Sequence, residues 1–264
     1  MTIKNSGYRT DAIFHEDHGY VKEKDDYFVI RTPSNPTFHW GNYLLFKSPP
    51  ARDSYEKWLE IHYREFGREQ KHIAFGWDAV VTGFVEQFEA HGFLLNDSTV
   101  LRMQELPELQ RINTEIEIRP IIEDWEWLAV TEAQIKEGFP GESDEGYREF
   151  KTRQMDNYRA SQDRGRGHWW GAFIGGELVG DMGLFFSPDG KTGRFQAVET
   201  APAHRRKGIC QTLLSHVIRD AFENKKTEEL FIVAERNSIP ERIYQSVGFL
   251  QHFPQRGLWR ANSS

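Results

Sequence analysis

The segment from Val198 to Cys210 (VETAPAHRRKGIC) contains residues whose types and spacing could bind an anion. Three adjacent cations, 205–207, precede a single glycine, Gly208, and a helix is predicted to begin at Ile209. The first N–H groups of a helix have no partner within it and carry the positive end of its dipole. A glycine there lets a ligand approach the backbone without meeting a Cβ atom. The segment therefore predicts a site for a pyrophosphate or a similar anion.

Two well-known phosphate-binding motifs are excluded at this position. A Walker loop requires Lys and Ser or Thr after its last glycine, whereas Ile209 and Cys210 follow Gly208. A dinucleotide fingerprint requires three glycines, and this segment has one. Taken alone, the segment fits a solvated basic turn equally well, with Gly208 as a flexible link.

The elements around the segment favour the binding site. A strand is predicted over 194–200, ending near Pro202 because proline cannot donate to a sheet. Apolar residues at steps of three to five predict a helix over 209–222 that packs on a sheet. A buried strand over 229–235 and a short helix from Pro240 to Gly248 follow.

The second half of the chain begins earlier, after the polar stretch 107–113. The predicted order from there is β-α-α-β-β-β-α-β-α-β, which indicates an α/β fold with a mixed sheet. The first half shows a weaker similarity to this order, with a strand predicted over Tyr43–Phe46, a helix over Asp53–Phe66 and a strand over His72–Trp77. In addition, Val85–Phe93 and Arg242–Phe249 both read as a short helix followed by Gly-Phe. We therefore predict a smaller N-terminal α/β domain at 1–112 and a second domain at 113–264.

The loop Arg205-x-x-Gly208-x-Cys210 resembles the R/Q-x-x-G-x-G/A motif of the GNAT superfamily of N-acetyltransferases. Downstream, Asn237 and Tyr244 followed by Gly248-Phe249 resemble that family's N-x-x-x-x-x-x-Y-x-x-x-G-F ending. Cys210 departs from the usual Gly or Ala, but cysteine is also small. The resemblance covers about 114–260 and implies a GNAT-like acyl-CoA N-acyltransferase fold. The first half would then be a degenerate copy.

The resemblance also implies where acetyl-CoA, the cosubstrate, would bind. It would lie in a gap between the strands 194–200 and 229–235, with its pantetheine arm along the backbone of the first strand and its pyrophosphate on the amides of the loop. Asn237 would bind pantetheine, cap the following helix, or do both. The cofactor-binding residues implied are Val198, Thr200, Arg205, Arg206, Lys207, Gly208, Ile209, Cys210, Gln211 and Asn237.

Two catalytic roles follow from the same resemblance. Tyr244 would donate a proton to the departing CoA thiolate, and a tyrosine packed under its helix is the alternative. Glu199 is a candidate general base, with Asp181 and His168 as further candidates and ordered water as another route. Phe88 takes the place of Tyr244 in the first half and cannot donate a proton. The first half is therefore not expected to bind CoA in this way.

Composition limits the other possibilities. The 264 residues carry 33 Lys and Arg against 40 Asp and Glu, a net charge of −7, which argues against nucleic acid as a partner. The single cysteine excludes an intrachain disulfide, and the histidines lack metal-ligand spacing, so we expect no metal. No apolar run approaches the ~18 residues of a membrane span, so we expect a cytoplasmic protein with no membrane partner.

The sequence thus predicts an acetyl-CoA-dependent N-acetyltransferase that acts on a small-molecule or peptide amine by direct attack. One alternative is a CoA-binding module without turnover that recognises a partner through its N-terminal half. Binding of another phosphorylated ligand is a third interpretation. The acceptor, and whether two copies form a homodimer, are left open.

Overall fold

The computed structural model describes residues 3–108, 113–137 and 144–261. Contacts between Cα atoms divide the chain into two compact units. The first comprises the described parts of Met1–Val100 and His252–Ser264, together with Ala234–Arg236. The second comprises the described part of Leu101–Val233 together with Asn237–Gln251. The division into domains 1–112 and 113–264 stays a prediction.

The N-terminal part of the chain alternates helices and strands. In chain order these are α1 (Ser6–His18), β1 (Tyr20–Glu23), β2 (Tyr27–Arg31), β3 (Tyr43–Phe46), α2 (Ser54–Phe66), β4 (His72–Trp77), α3 (Glu86–Ala90) and β5 (Leu94–Met103). β1, β2 and β3 pair antiparallel, and β3 pairs parallel with β4. The sequence predicted β3, α2 and β4 but not α1, whose buried side includes Thr10 and His15 and so gives no clear apolar stripe.

Aromatic side chains fill the core between α2 and this sheet. The ring of Trp58 on α2 stacks on Phe46 with 3.8 Å between centroids. Phe75 on β4 and Phe88 on α3 are fully buried beside them. The high aromatic content of the sequence, 14%, therefore serves this core.

The second unit follows the predicted order of elements. They are β6 (Glu117–Pro120), α4 (Asp124–Glu137), α5 (Asp144–Asp163), β7 (Gly167–Ile174), β8 (Glu177–Phe186), β9 (Thr192–Thr200), α6 (Ile209–Arg219), β10 (Glu229–Glu235) and α7 (Ile239–Ser246). β6, β7, β8 and β9 pair antiparallel in that order, and β9 pairs parallel with β10. The predicted α/β fold with a mixed sheet is confirmed.

Helix α6 presents an apolar side to the sheet, with Ile209, Leu213 and Val217 buried. It is shorter than predicted, because the backbone changes to a π-helical turn over Asp220–Asn224. Within the described ranges, no helix is long and apolar enough to cross a membrane.

The last strand, β11 (Leu250–Ala261), was predicted as an extended tail. It pairs antiparallel with β4, from Gly257 opposite Gly76 to Ala261 opposite His72. The tail therefore completes the sheet of the first unit.

Candidate functional site

The two strands predicted to border the ligand stop pairing before β9 ends. β9 and β10 pair over Thr192–Arg194 and Glu229–Phe231, whereas β9 continues to Thr200. Parallel strands are normally joined by evenly spaced hydrogen bonds along their shared length. The C-terminal part of β9 thus lies beyond its pairing with β10, at the start of the basic loop.

The corresponding strands of the first unit differ in this respect. β3 and β4 pair over Leu44–Phe46 and Phe75–Trp77, which reaches the last residue of each strand. The amide of Asp78 then donates to the carbonyl of Phe46 at 2.8 Å and extends the pairing. The strand–helix–strand arrangement therefore occurs in both units, but the pairing stops early in the second.

β9 also contains a bulge at the same place. Asp181 pairs with Glu199 and Gly183 with Gln196, so β9 has one more residue than β8 across this interval. Ala197, inside the interval, has a φ of 42°, which is rare for a residue other than glycine. A bulge re-aims the backbone groups beside it, and Val198 directly follows Ala197.

Buried side chains support this bulge. Gln134 on α4 donates from Nε2 to the carbonyl oxygen of Ala197 at 3.1 Å and to Oδ1 of Asp181 at 3.0 Å. Trp169 Nε1 donates to the same carboxylate oxygen at 3.0 Å. Burial, the largest effect, raises the pKa of Asp181 to about 7, and the two hydrogen bonds oppose it. Gln134 was not singled out from the sequence, because nothing in its neighbourhood marks it.

The basic loop leads into α6 with an open helix start. Gly208 is the N-cap residue with a φ of 73°, and among the described residues no side chain caps α6. Arg206 also has a positive φ, 64°. Arg205 donates from Nε to the carbonyl of Thr200 at 3.0 Å, so this guanidinium also fixes the loop to β9. Lys207 holds the loop from the other side, because its carbonyl accepts a hydrogen bond from Asn113 Nδ2 at 2.9 Å.

Tyr244 on α7 lies close to the start of α6. Its side chain is buried, and burial, followed by the proximity of Cys210 and Glu199, raises its pKa well above the ordinary value. Burial, with Glu199 as a smaller cause, raises the pKa of Cys210 to about 12. The thiol is therefore neutral at ordinary pH, which agrees with the interpretation of Cys210 as a small residue. Gln211 joins the two helices by donating to Ser246 Oγ at 2.9 Å.

Asn237 does not cap α7. Ser238 is the N-cap residue, and its Oγ accepts from the amide of Glu241 at 3.3 Å. Asn237 instead has a φ of 62°, and its amide donates to Oε2 of Glu241 at 2.5 Å. The capping interpretation of Asn237 is wrong, because its neighbour supplies the hydroxyl.

The candidate bases occupy different surroundings. Glu199 is near enough to raise the pKa values of Tyr244, Cys210 and Lys151. Burial, followed by the proximity of Lys225, lowers the pKa of His168, and Asp220 opposes this shift. The charged groups that act on His168 are therefore different from those that act on Tyr244 and Cys210. Lys151, on α5, was missed by the sequence analysis, since a helical lysine is usually solvent-exposed.

The similarity between the two halves includes the hydrogen bonds at the ends of α7 and α3. In the second unit the amide of Phe249 donates to the carbonyl of Tyr244 at 3.1 Å, and in the first the amide of Phe93 donates to Phe88 at 3.1 Å. Gly248 and Gly92 lie before these phenylalanines, both with positive φ. The same helix ending therefore holds a phenol in one unit and a phenyl ring in the other.

Within the described ranges, no three His, Cys, Asp or Glu side chains form a group that could hold a metal ion.

Comparison with known proteins links these features to a family. Residues 127–249 match the model of the family described as the acetyltransferase (GNAT) family. No curated protein matches the chain significantly.

Several solved structures share the fold. A functionally unknown conserved protein from Staphylococcus epidermidis is 14% identical, with 94% of this chain and 95% of that chain covered and a TM-score of 0.75. A GCN5-related N-acetyltransferase from Kribbella flavida is 13% identical, with coverages of 99% and 96% and a TM-score of 0.66. A tandem GNAT protein from the clavulanic acid biosynthesis pathway is 12% identical, with coverages of 81% and 72% and a TM-score of 0.55. At these identities the likeness is one of fold, and it extends over both halves of the chain.

Proposed function

We propose that this protein, whose residues 127–249 match the model of the acetyltransferase (GNAT) family, belongs to that family and transfers the acetyl group of acetyl-CoA to a primary amine. The family suggests acyl transfer from an acyl-CoA to an acceptor, and the choice of acetyl group and amine is the proposal. The observation that carries it is the early end of pairing between β9 and β10, directly before the loop that starts α6.

The residues present suit two parts of acetyl-CoA, its pantetheine arm and its pyrophosphate. The edge of β9 at Val198 and Thr200 would pair with the pantetheine amides as a further extended chain would. The open N-terminus of α6 at Gly208 would bind the pyrophosphate, with Arg206 and Lys207 as neighbouring cations. Asn237 is retained as a proposed pantetheine contact.

The chemistry would use groups on three elements. The backbone N–H of Val198, re-aimed by the bulge, would stabilise negative charge on the thioester oxygen. Glu199 would take the proton that the amine loses as its nitrogen bonds to the acetyl carbon. Tyr244 would give its proton to sulfur as the carbon–sulfur bond breaks. Its raised pKa keeps the phenol protonated at working pH, as a proton donor requires.

Release of CoA with a panel of amines tests this proposal. We expect Tyr244→Phe to lower kcat by about 100-fold, since general acid catalysis contributes on this scale. The dissociation constant of acetyl-CoA, measured by calorimetry, should stay within about twofold because only the hydroxyl is lost. Tyr20→Phe, at an exposed tyrosine of the first unit, is the matched control.

Three results would count against the proposal. An unchanged kcat in Tyr244→Phe would reject the acid role. Tight acetyl-CoA binding without transfer to any amine would favour the CoA-binding module. Absence of acetyl-CoA binding would reject both functions.

A further inference from the structure

The buried side of α5 includes polar side chains beside the apolar Met155. Lys151, Gln154 and Tyr158 follow one another at helical spacing and are 8%, 9% and 5% exposed. Tyr158 donates to Gln196 Oε1 on β9 at 3.2 Å, so α5 contacts the strand that is proposed to bind acetyl-CoA. A helix face that packs on a sheet is normally apolar, because buried polar groups cost free energy unless they have partners. Tyr158 and Gln154 have such partners, so the group that needs an explanation is the charge of Lys151.

Among the described residues, none provides a counter-ion in contact with the charge of Lys151. Its Nζ donates to Gln154 Oε1 at 2.9 Å and lies 5.8 and 5.3 Å from the ring centroids of Tyr147 and Phe150. Within the described part of the chain, no carboxylate oxygen lies at ion-pair distance from this ammonium. Glu199 and Asp181 are nonetheless near enough to raise the pKa of Lys151, against the larger effect of burial. A buried charge without a contacting partner is costly, and an anionic group on a ligand would relieve that cost.

We infer that the acceptor is a primary amine that also carries a carboxylate, and that the ammonium of Lys151 binds this carboxylate. The inference rests on the proposed function. Glu199 would face the amine end of the acceptor and Lys151 its carboxylate end, so the site matches a zwitterion. One cation balances the single charge of a carboxylate, whereas a phosphate dianion would keep an unbalanced charge. Burial lowers the pKa of Lys151 to about 8, which leaves the ammonium largely charged at neutral pH.

Pairs of amines that differ only in the carboxylate test this inference. Suitable pairs are phenylalanine with phenethylamine and 4-aminobutyrate with propylamine, and the readout is the ratio of kcat/KM within each pair. We expect the wild type to prefer the carboxylated member of at least one pair by about 10- to 100-fold, the scale of a hydrogen bond to a charged group. Lys151→Met should remove this preference, while Lys136→Met, at an exposed lysine of α4, should keep it.

Each outcome decides the inference. Equal kcat/KM for both members of every pair in the wild type would overturn it and leave the proposed function standing. A preference that persists in Lys151→Met would overturn the role of Lys151. If that variant does not fold, Lys151→Gln and the wild-type ratios decide. A wild type that binds no acetyl-CoA would overturn the proposed function and this inference with it.

Discussion

Replacing Asp181 by asparagine and by leucine separates two roles for this carboxylate. The side chain is 2% exposed, and its Oδ1 accepts hydrogen bonds from Gln134 and Trp169, both at 3.0 Å. If Asp181 only positions Gln134, and through it the bulge at Ala197, an amide oxygen can replace the carboxylate. If Asp181 is the general base, it cannot.

The expected changes in unfolding free energy follow from the two hydrogen bonds that Asp181 accepts. Asp181→Leu leaves two buried donors without acceptors at about 1–3 kcal/mol each, so we expect a loss of about 2–6 kcal/mol of unfolding free energy. Asp181→Asn keeps an acceptor for both donors and should lose less than about 1.5 kcal/mol. The pKa of Asp181 is raised in the folded state, so between about pH 4 and pH 7 the carboxyl ionises more readily in the unfolded chain. The free energy of unfolding of the wild type therefore falls as the pH rises over this range. Asparagine does not ionise, so the difference in unfolding free energy between Asp181→Asn and the wild type should shift in favour of the variant as the pH rises over that range.

The assays are urea unfolding and steady-state CoA release. If Asp181 is a positioning residue, we expect Asp181→Asn to keep kcat within about threefold. Asp181→Leu should lower kcat by about 10- to 100-fold, because the backbone N–H of Val198 would no longer be held in position to stabilise the oxyanion. Asp163→Asn, at the exposed end of α5, is the control. A loss of more than about 100-fold in Asp181→Asn, with unchanged stability, would refute the positioning role and make Asp181 the base.

Further predictions concern the loop and the first unit. Gly208→Ala should weaken acetyl-CoA binding by about 3- to 10-fold in calorimetry, whereas Gly190→Ala, a turn glycine with the same φ of 73°, should cost about 1 kcal/mol of stability without changing binding. Burial lowers the pKa values of His39, His62 and His72 to about 4, 4 and 3. Because the unfolded chain then binds more protons, stability is full above about pH 6.5 and falls towards pH 4. For His62 the loss at pH 5 is about 2 kcal/mol, and His62→Phe should remove that share of the pH dependence in urea titrations at pH 7.5 and 5; an unchanged pH dependence would contradict the assignment.

Local patterns predicted the elements well. β3, β4 and β10 begin and end where the sequence indicated, because apolar runs are bounded there by polar residues, Gly or Pro. The start of α6 without a side-chain cap could also be predicted, because its signal, one glycine after three basic residues, lies in adjacent positions. These signals lie within a few positions of each other.

The parts of the site that depend on distant residues could not be predicted. Gln134 reaches Asp181 and Ala197 across 47 and 63 positions of the chain. A positive φ is typical of glycine and not of alanine, so nothing in the sequence around Ala197 predicts the bulge. The sequence of α5 around Lys151 indicates a solvent-exposed side, because its charged and polar residues are typical of a surface helix, whereas the structure buries Lys151.

The pairing of β11 with β4 has a consequence for biosynthesis. Trp259 lies opposite Ala74, so a ribosome must translate the whole second unit before the sheet of the first can close. Contacts of such sequence separation slow folding, because a long loop has to be ordered before they form. Until then the edge of β4 that pairs with β11 has unpaired backbone N–H and C=O groups, which can pair with strands of other chains. A nascent first unit would therefore depend on chaperones or on rapid elongation to avoid aggregation.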